Sequence, residues 1–406
     1  MDKQLKMQAN NRKTLNGKET ITPMLTWIIS IACAIIVANI YYIQPLLGEL
    51  ARDFMISQVS AGSIATITQI GFALGIILIL PIADIVEKRK LINIMLIFSA
   101  ISLFIMYYSR SFYIICAASL FIGFTSVITQ LLVPIAAQMA NKNERGSVIG
   151  KITSGLLIGM LLSRVISGLL GNYFNWKTIY LIASIAMIIL SIILRILLPQ
   201  FQPQSEIKYF EAFKSMAKLV RKYNILREAS MTGAMVFSAF SAFWTSLTFL
   251  LKSPAYHMGS DIAGLFGLLG AVGAFCSPLF GKIADKKGSR FTVGIGIAFV
   301  TISYIILIIF GFKLWGLVIG VIILDLGSQI CNVSNQTRVQ QLTDEARSRV
   351  TAIYIFSFFV GGAMGSILGS YCFDYFGWIG VCCYGLLTQI IALSVHMIRN
   401  KATQKA

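Results

Sequence analysis

Apolar runs of about 20 residues with almost no charge recur along this chain of 406 residues. Segments 91–108, 179–198 and 291–310 are examples. A helix needs about 20 apolar residues to cross a hydrocarbon core of roughly 30 Å. Only helices and closed barrels satisfy every backbone group in lipid, and 57% hydrophobic with 12% charged residues is not the composition of a soluble domain. The runs therefore predict membrane-spanning helices.

We predict an all-α membrane protein of twelve spanning helices, with polar or basic segments between them. The predicted helices lie at 24–47, 60–82, 91–108, 112–138, 148–171, 178–198, 229–251, 261–283, 291–311, 314–340, 350–372 and 378–398.

The net charge is +18, but the positions of the positively charged residues argue against a nucleic-acid partner. Most of the 34 lysines and arginines fall at alternate ends of the apolar runs. By the positive-inside rule, both termini and the longest polar linker are expected to lie on the cytoplasmic side of a cell membrane. A basic amphipathic stretch at 210–223 in that linker is expected to rest on anionic lipid headgroups.

A repeat with an offset of 201 to 202 residues relates the two halves of the chain. Ala83-Asp84 recurs as Ala284-Asp285, and a ladder of small residues at every fourth position recurs on one helix face. The ladders, expected to pack helices closely, are Gly155, Gly159, Ser163 and Ser167, then Ser357, Gly361, Gly365 and Gly369. We therefore predict a tail at 1–23, a six-helix bundle at 24–198, a linker at 199–228, a second bundle at 229–398 and a tail at 399–406.

The loop at 281–290, GKIADKKGSR, resembles the signature loop of the major facilitator superfamily. Its counterpart LPIADIVEKRK at 80–90 keeps Asp84 and the basic end but has Leu80 and Glu87 where glycines are usual. The resemblance implies two pseudo-symmetric bundles around a central cavity that opens alternately to each side. It also implies a gating role for the loops, although orientation by the positive-inside rule together with simple turn chemistry would also explain their composition. The implied gating residues are Asp84, Arg89, Arg145, Gly281, Asp285, Gly288, Arg290 and Arg347.

Two further stretches resemble exporters of this superfamily. The segment GLLIGMLLSR at 155–164 is similar to their glycine-rich fifth helix, with Met160 where a proline is usual. The stretch YYIQPLL at 41–47 resembles a bacterial branch of small-molecule exporters. The resemblance implies export of a drug or metabolite without naming it.

Two ionisable side chains, Asp325 and Arg164, fall deep inside predicted spanning helices. Such residues are costly in lipid and are functional candidates by default. In the superfamily that the loops resemble, the tenth helix lines the cavity, which implies that Asp325 takes up and releases a proton; the alternative is that it is a structural partner of Arg164, Ser328 or Asn332. Arg164 would hold an anionic substrate or pair with Asp325. An arginine common in proton-coupled members is replaced here by Ser119, four residues before Gly123, which departs from the usual coupling scheme.

Other polar or aromatic residues on the predicted helices are candidates for lining the cavity or for bonding helices together. They are Asn39, Tyr42, Gln44, Gln69, Gln130, Gln138, Trp244, Asn332, Asn335 and Gln336. Three acidic residues at predicted helix ends, Glu49, Asp53 and Glu228, are expected to be solvated.

No catalytic constellation or ATP-binding loop stands out, so an enzyme is disfavoured and a gradient would supply the driving force. We predict proton-coupled efflux of a small organic molecule, with uptake by symport or facilitated diffusion as the alternative and a sensor or channel as a distant one. We expect a monomer in the lipid bilayer without cofactor or metal. The seven cysteines lie in apolar segments and are expected to be packing residues.

Overall fold

The structure is a computed structural model that describes residues 21–83, 85–141, 144–201, 209–271, 288–343 and 345–403. Within these ranges it is helical, and they contain no strand. The helices are α1 Pro23–Tyr41, α2 Leu47–Asp53, α3 Gln58–Ala83, α4 Lys88–Tyr108, α5 Phe112–Thr125, α6 Ile128–Met139, α7 Arg145–Tyr173, α8 Thr178–Leu197, α9 Tyr209–Lys222, α10 Asn224–Lys252, α11 Ser260–Ala271, α12 Ser289–Phe310, α13 Leu314–Gln340 and α14 Arg347–Thr403.

Ten segments of the described chain are long and apolar enough to cross a membrane. The last of them, Arg347–Ile398, covers two predicted helices. It contains Gly377 at φ 62° and ψ −157°, a conformation that glycine tolerates and that interrupts a helix. The predicted helix at 261–283 is described only as the shorter α11, because the structure does not describe 272–287.

Two predicted helices are interrupted. The first ends at Tyr41, and a 3₁₀ turn at Gln44–Leu46 leads into α2. Pro45 lies in that turn and has no N–H to donate to a continuous helix. The second interruption separates α5 from α6, where the Ser126 hydroxyl donates to the Ile122 carbonyl at 2.7 Å. Such back-bonding by serine bends helices.

The predicted ladders of small residues lie at two close helix contacts. A Cβ atom on Gly159 of α7 would lie 2.2 Å from the Ala34 carbonyl oxygen of α1. A Cβ atom on Gly361 of α14 would lie 2.1 Å from the Ala234 carbonyl oxygen of α10. Both distances are far below van der Waals contact, so each helix pair meets backbone to backbone.

Other contacts join residues from before and after the linker. A Cβ atom on Gly62 of α3 would collide with the Ser370 hydroxyl of α14 at 1.9 Å. The Ser260 hydroxyl of α11 donates to the Gly168 carbonyl of α7 at 3.1 Å. The linker itself contains the predicted amphipathic segment as the helix α9, where Ser215 accepts a hydrogen bond from Arg349.

An arginine near the start of α4 and another near the start of α12 make comparable contacts at the repeat offset. Arg89 donates to the Leu198 and Arg195 carbonyls at 3.0 and 3.4 Å, at the end of α8. Arg290, 201 residues later, donates to the His396 carbonyl at 2.7 Å, near the end of α14. Arg89 thus bonds carbonyls that the end of α8 leaves free, and Arg290 bonds a carbonyl in the last turns of α14.

Candidate functional site

The break between α1 and α2 presents Gln44 to two other helices. Its side-chain Oε1 accepts a hydrogen bond from Arg164 Nε of α7 at 2.8 Å. Its backbone carbonyl accepts one from the Thr248 hydroxyl of α10 at 3.0 Å. Interrupted helices expose backbone groups at substrate sites of many carriers. The geometry places Gln44 where α1, α7 and α10 meet.

Arg164 is completely buried and is surrounded by aromatic rings. The carbon at the centre of its guanidinium lies 4.0 Å from the Trp244 ring centroid, 5.0 Å from that of Tyr41 and 5.7 Å from that of Phe240. Cation–π contacts of this kind stabilise a desolvated guanidinium by up to about 2 kcal/mol. Neither terminal nitrogen of Arg164 has a hydrogen-bond partner among the described residues. The cation is therefore held in place while its donors stay available.

Asp325 lies in α13 and is 3% exposed. Its Oδ2 atom has no hydrogen-bond partner in the described part of the chain. Its carboxylate interacts electrostatically with Arg164. Buried charged groups are normally paired or hydrogen-bonded, so an unpartnered carboxylate oxygen is an exception that a bound proton or ligand would remove.

The segment α11 lies between the helices that carry these two charges. A Cβ atom on Gly267 would lie 3.0 Å from Arg164 Cβ. A Cβ atom on Gly270 would lie 3.3 Å from Asp325 Oδ2 and 2.9 Å from Leu161 Cδ2. These distances are shorter than ordinary van der Waals contact, so the glycines let α11 pack directly against Arg164 and Asp325.

Four of the predicted polar candidates either contact α8 or lie on α6. The Asn39 amide donates to Met187 Sδ of α8 at 3.6 Å, and the Tyr42 ring packs edge-on against Tyr180 of the same helix. Gln130 is partly buried in α6. Gln138, on the same helix, is exposed.

Gln69 bridges three helices rather than facing Arg164. Its amide nitrogen donates to the Ser366 hydroxyl of α14 at 3.1 Å and to the Ser241 hydroxyl of α10 at 3.4 Å. It therefore ties α3 to helices from beyond the linker.

The polar residues of α13 form a separate network. Tyr354 and Gln336 both donate to Asn332 Oδ1, at 3.0 and 3.2 Å. The Asn335 amide donates to the Thr232 hydroxyl of α10 at 3.1 Å. These contacts join α13 to α10 and α14, beyond Asp325 in the direction of the linker.

That network continues into a buried cluster of charges around Glu228. The carboxylate of Glu228 lies 3.0 Å from Arg338 Nη2, 3.0 Å from His396 Nδ1 and 3.7 Å from Arg290 Nη2. The expectation that Glu228 is solvated is wrong, since it is 2% exposed. The partners lie on three other helices, which a position in the sequence does not reveal.

Glu49 is also buried rather than solvated, at 5% exposed. It pairs with Arg52 Nη2 of α2 and with Lys252 Nζ of α10, each at 2.7 Å. Asp53 is exposed, and its carboxylate accepts a hydrogen bond from Trp176 Nε1 at 2.6 Å. The ion pair between Glu49 and Lys252 closes the gap between α2 and α10 at this end of the helices.

The predicted gating residues are described in part, since Asp84, Gly281 and Asp285 lie outside the described residues. Arg89 and Arg290 bond helix ends as described above. Arg145 and Arg347 are the exposed first residues of α7 and α14. Gly288 caps α12 at φ 89°, a backbone conformation that favours glycine.

Sequence reasoning identified Arg164, Asp325 and Gln44, which the structure brings to one region. It grouped Trp244 with these candidates without showing that the ring lies against Arg164. It did not include Tyr41 or Phe240 among the cavity candidates, although Tyr41 begins the YYIQPLL stretch; the only sequence signal at Phe240 is an aromatic residue on a predicted helix. Gly267 and Gly270 were also missed, although two glycines three positions apart lie on one face of a helix.

The sequence comparison with family models matches residues 29–366 to the Major Facilitator Superfamily. A protein of Escherichia coli O157:H7 named uncharacterized transporter YgaY is 36% identical over 375 residues, which are 92% of this chain and 95% of that protein. A protein of Helicobacter pylori named probable sugar efflux transporter is 20% identical, covering 86% of this chain and 88% of its own. A bacterial homolog of the human lysosomal transporter Spinster, solved in an inward-facing and unoccupied conformation, matches with a TM-score of 0.72 at 15% identity over 94% of this chain and 97% of its own.

The match over most of the chain, together with the apolar helices, shows that this protein belongs to the Major Facilitator Superfamily. It is a multi-pass membrane protein and a transporter of that superfamily's type.

Proposed function

We propose that this protein is a secondary active transporter that exports a small organic molecule across the cell membrane in exchange for protons. The observation that carries the proposal is Asp325, a carboxylate buried in a spanning helix with an oxygen that no described group satisfies. A site of this kind can hold either a proton or a donor group of the cargo. Alternating between the two is what an exchanger requires.

The proposed architecture has twelve spanning helices in two bundles, 24–198 and 229–398, with tails at 1–23 and 399–406 and a linker at 199–228. The interruption at Gly377 and the short helix α11 support a count above the ten described spans. The matched contacts of Gly159 and Gly361 support the pseudo-symmetry of the bundles.

In this proposal the cargo and proton site comprises Arg164 and Asp325, with Gln44 and Trp244 beside Arg164. The other polar candidates line the cavity or hold helices together. The loops that carry Asp84, Gly281 and Asp285 control switching between states, with both termini in the cytoplasm. The protein acts as a monomer in the bilayer.

Export is favoured by the resemblance of residues 155–164 to the fifth helix of exporters and by the efflux function in the name of the Helicobacter pylori relative. The second candidate is uptake by symport, which the unpartnered terminal nitrogens of Arg164 favour. An anion bound there would leave Asp325 without its counter-charge. The anion and a proton on Asp325 would then move together.

Inside-out vesicles from cells that produce the protein distinguish the two candidates. Respiration acidifies the lumen, and a dye reports the lumenal pH while candidate cargoes of different charge are added outside. An exporter that exchanges cargo for protons dissipates the gradient, whereas a symporter acidifies the lumen further. Vesicles without the protein are the control, and no response to any cargo would contradict proton coupling.

A further inference from the structure

Two opposite buried charges, Arg164 and Asp325, both retain polar atoms without partners in the described part of the protein. The atoms are Nη1 and Nη2 of Arg164 and Oδ2 of Asp325. The two charges interact electrostatically, yet these atoms are not joined by a hydrogen bond. Native proteins leave few such groups unsatisfied, so the region has the chemistry of a ligand site.

Two glycines of α11 pack closely against the two charged residues. Gly267 faces Arg164 and Gly270 faces Asp325, and both lie on the same side of α11. Any larger residue at Gly270 would meet Asp325 Oδ2 at 3.3 Å or Leu161 Cδ2 at 2.9 Å. The α11 backbone therefore borders both charged residues, and no α11 side chain from these two positions covers their unpartnered atoms.

The described residues around Arg164 hold its guanidinium and leave two of its nitrogens free to bind a carboxylate. The guanidinium carbon lies 4.0 Å from the Trp244 ring centroid, and Nε is occupied by Gln44. The two free terminal nitrogens form a fork that matches the two oxygens of a carboxylate. The Trp244 Nε1–H, which also lacks a partner among the described residues, adds a further donor.

We propose that the cargo is a small zwitterion of the amino-acid class, with its carboxylate on Arg164 and its ammonium group on Asp325. An anion alone would leave Asp325 buried and uncompensated, and a cation alone would do the same to Arg164. A zwitterion compensates both charges at once.

This inference rests on the proposed transport function and sharpens it. The ammonium group and a proton compete for the same carboxylate, so each excludes the other from Asp325. A carrier with that property exchanges cargo for protons, which agrees with export by antiport. In this proposal the exchange of cargo for protons therefore takes place at the Asp325 carboxylate, whose Oδ2 atom has no described hydrogen-bond partner.

The test measures thermal stabilisation of the purified full chain by three probe mixtures. The first is an equimolar pool of the twenty amino acids. The second contains the matching amines without the carboxylate, and the third contains the matching carboxylates without the amino group. A ligand that binds the folded state raises Tm, and we expect a shift of about 2 °C or more with the amino-acid pool alone.

Two variants locate the binding. Arg164→Gln and Asp325→Asn should each reduce the shift to well under half, whereas the same changes at exposed positions, Arg110→Gln and Asp374→Asn, should preserve it. If the buried variants fail to fold, Arg164→Lys and Asp325→Glu keep the charges and should retain a reduced shift. Proton release on adding the amino-acid pool to weakly buffered protein should accompany binding in the unchanged chain.

Equal stabilisation by the carboxylate or the amine pool, or no stabilisation by any pool, would overturn the zwitterion site. An undiminished amino-acid shift in Asp325→Asn would overturn it as well. If the protein binds amino acids and releases protons but does not move amino acids in vesicles in response to a pH gradient, the proposed export is contradicted and the zwitterion site is not.

Discussion

The guanidinium of Arg164 lies 4.0 Å from the centroid of the Trp244 ring, so an aromatic face holds the deepest cation of α7 in place. Replacing Trp244 by leucine removes the π face but keeps an apolar side chain. The lost cation–π attraction of about 0.5–2 kcal/mol should raise the cargo concentration for half-maximal transport by roughly 2- to 30-fold. The vesicle assay measures this concentration, and Trp244→Phe should give a value between those of the unchanged chain and Trp244→Leu.

Trp315→Leu is the matched control for that prediction, because Trp315 is 51% exposed. An unchanged half-maximal concentration in Trp244→Leu would show that the ring does not hold Arg164 for cargo.

Gly159 meets the Ala34 backbone at a distance that leaves no room for a methyl group. Gly159→Ala should lower the stability of the protein by about 1–3 kcal/mol, since the added Cβ must push α1 away from α7. Thermal unfolding of the purified protein measures this. Gly150→Ala on the same helix has nothing within 4 Å and should leave Tm unchanged or slightly higher. Equal Tm values for the two variants would contradict the close contact.

The sequence predicted the helical class, most helix positions and the two buried charges, because long apolar runs and rare ionisable residues are visible without coordinates. It did not predict that Glu49 and Glu228 are buried. Each is satisfied by partners far away in sequence, such as Lys252 for Glu49. The depth of a residue along a spanning helix follows from counting, whereas its neighbours depend on how helices rotate and cross.

The interruption of α1 was also missed, although a signal was present. Pro45 cannot continue the hydrogen-bonding of a helix, and its position next to Gln44 explains why that residue reaches both Arg164 and Thr248. Apolar periodicity, which was the basis of the predicted helix at 24–47, is insensitive to such a turn.

The ion pair between Glu49 and Lys252 connects helices on either side of the linker. Glu49→Gln should weaken this connection and favour opening at that end of the protein. Leu46 is buried, so a cysteine placed there can report such opening. Leu46→Cys should react faster with a water-soluble thiol reagent when combined with Glu49→Gln than when Glu49 is retained.

Asp53→Asn is the control for that experiment, because Asp53 is exposed and bonds Trp176 on the same side of the linker. Equal reaction rates in the Glu49→Gln and Asp53→Asn backgrounds would show that the ion pair does not restrain opening.

The distribution of cations predicts that the linker faces the cytoplasm. Lys214→Cys on α9, in a background with the seven native cysteines replaced by serine, should not react with an impermeant reagent added to intact cells. Lys313→Cys, next to the start of α13, should react under the same conditions. The reverse pattern would invert the proposed orientation.

We propose that Asp325 exchanges the proton that drives transport. An asparagine at this position keeps the shape of the side chain but carries no titratable group, so Asp325→Asn should abolish pH-driven accumulation while sparing some downhill exchange of cargo. The measurement compares both activities in vesicles for the unchanged chain, Asp325→Asn and the exposed control Asp374→Asn. Loss of pH-driven accumulation in Asp325→Asn alone is the predicted result, and accumulation that survives in folded, inserted Asp325→Asn protein would contradict the account.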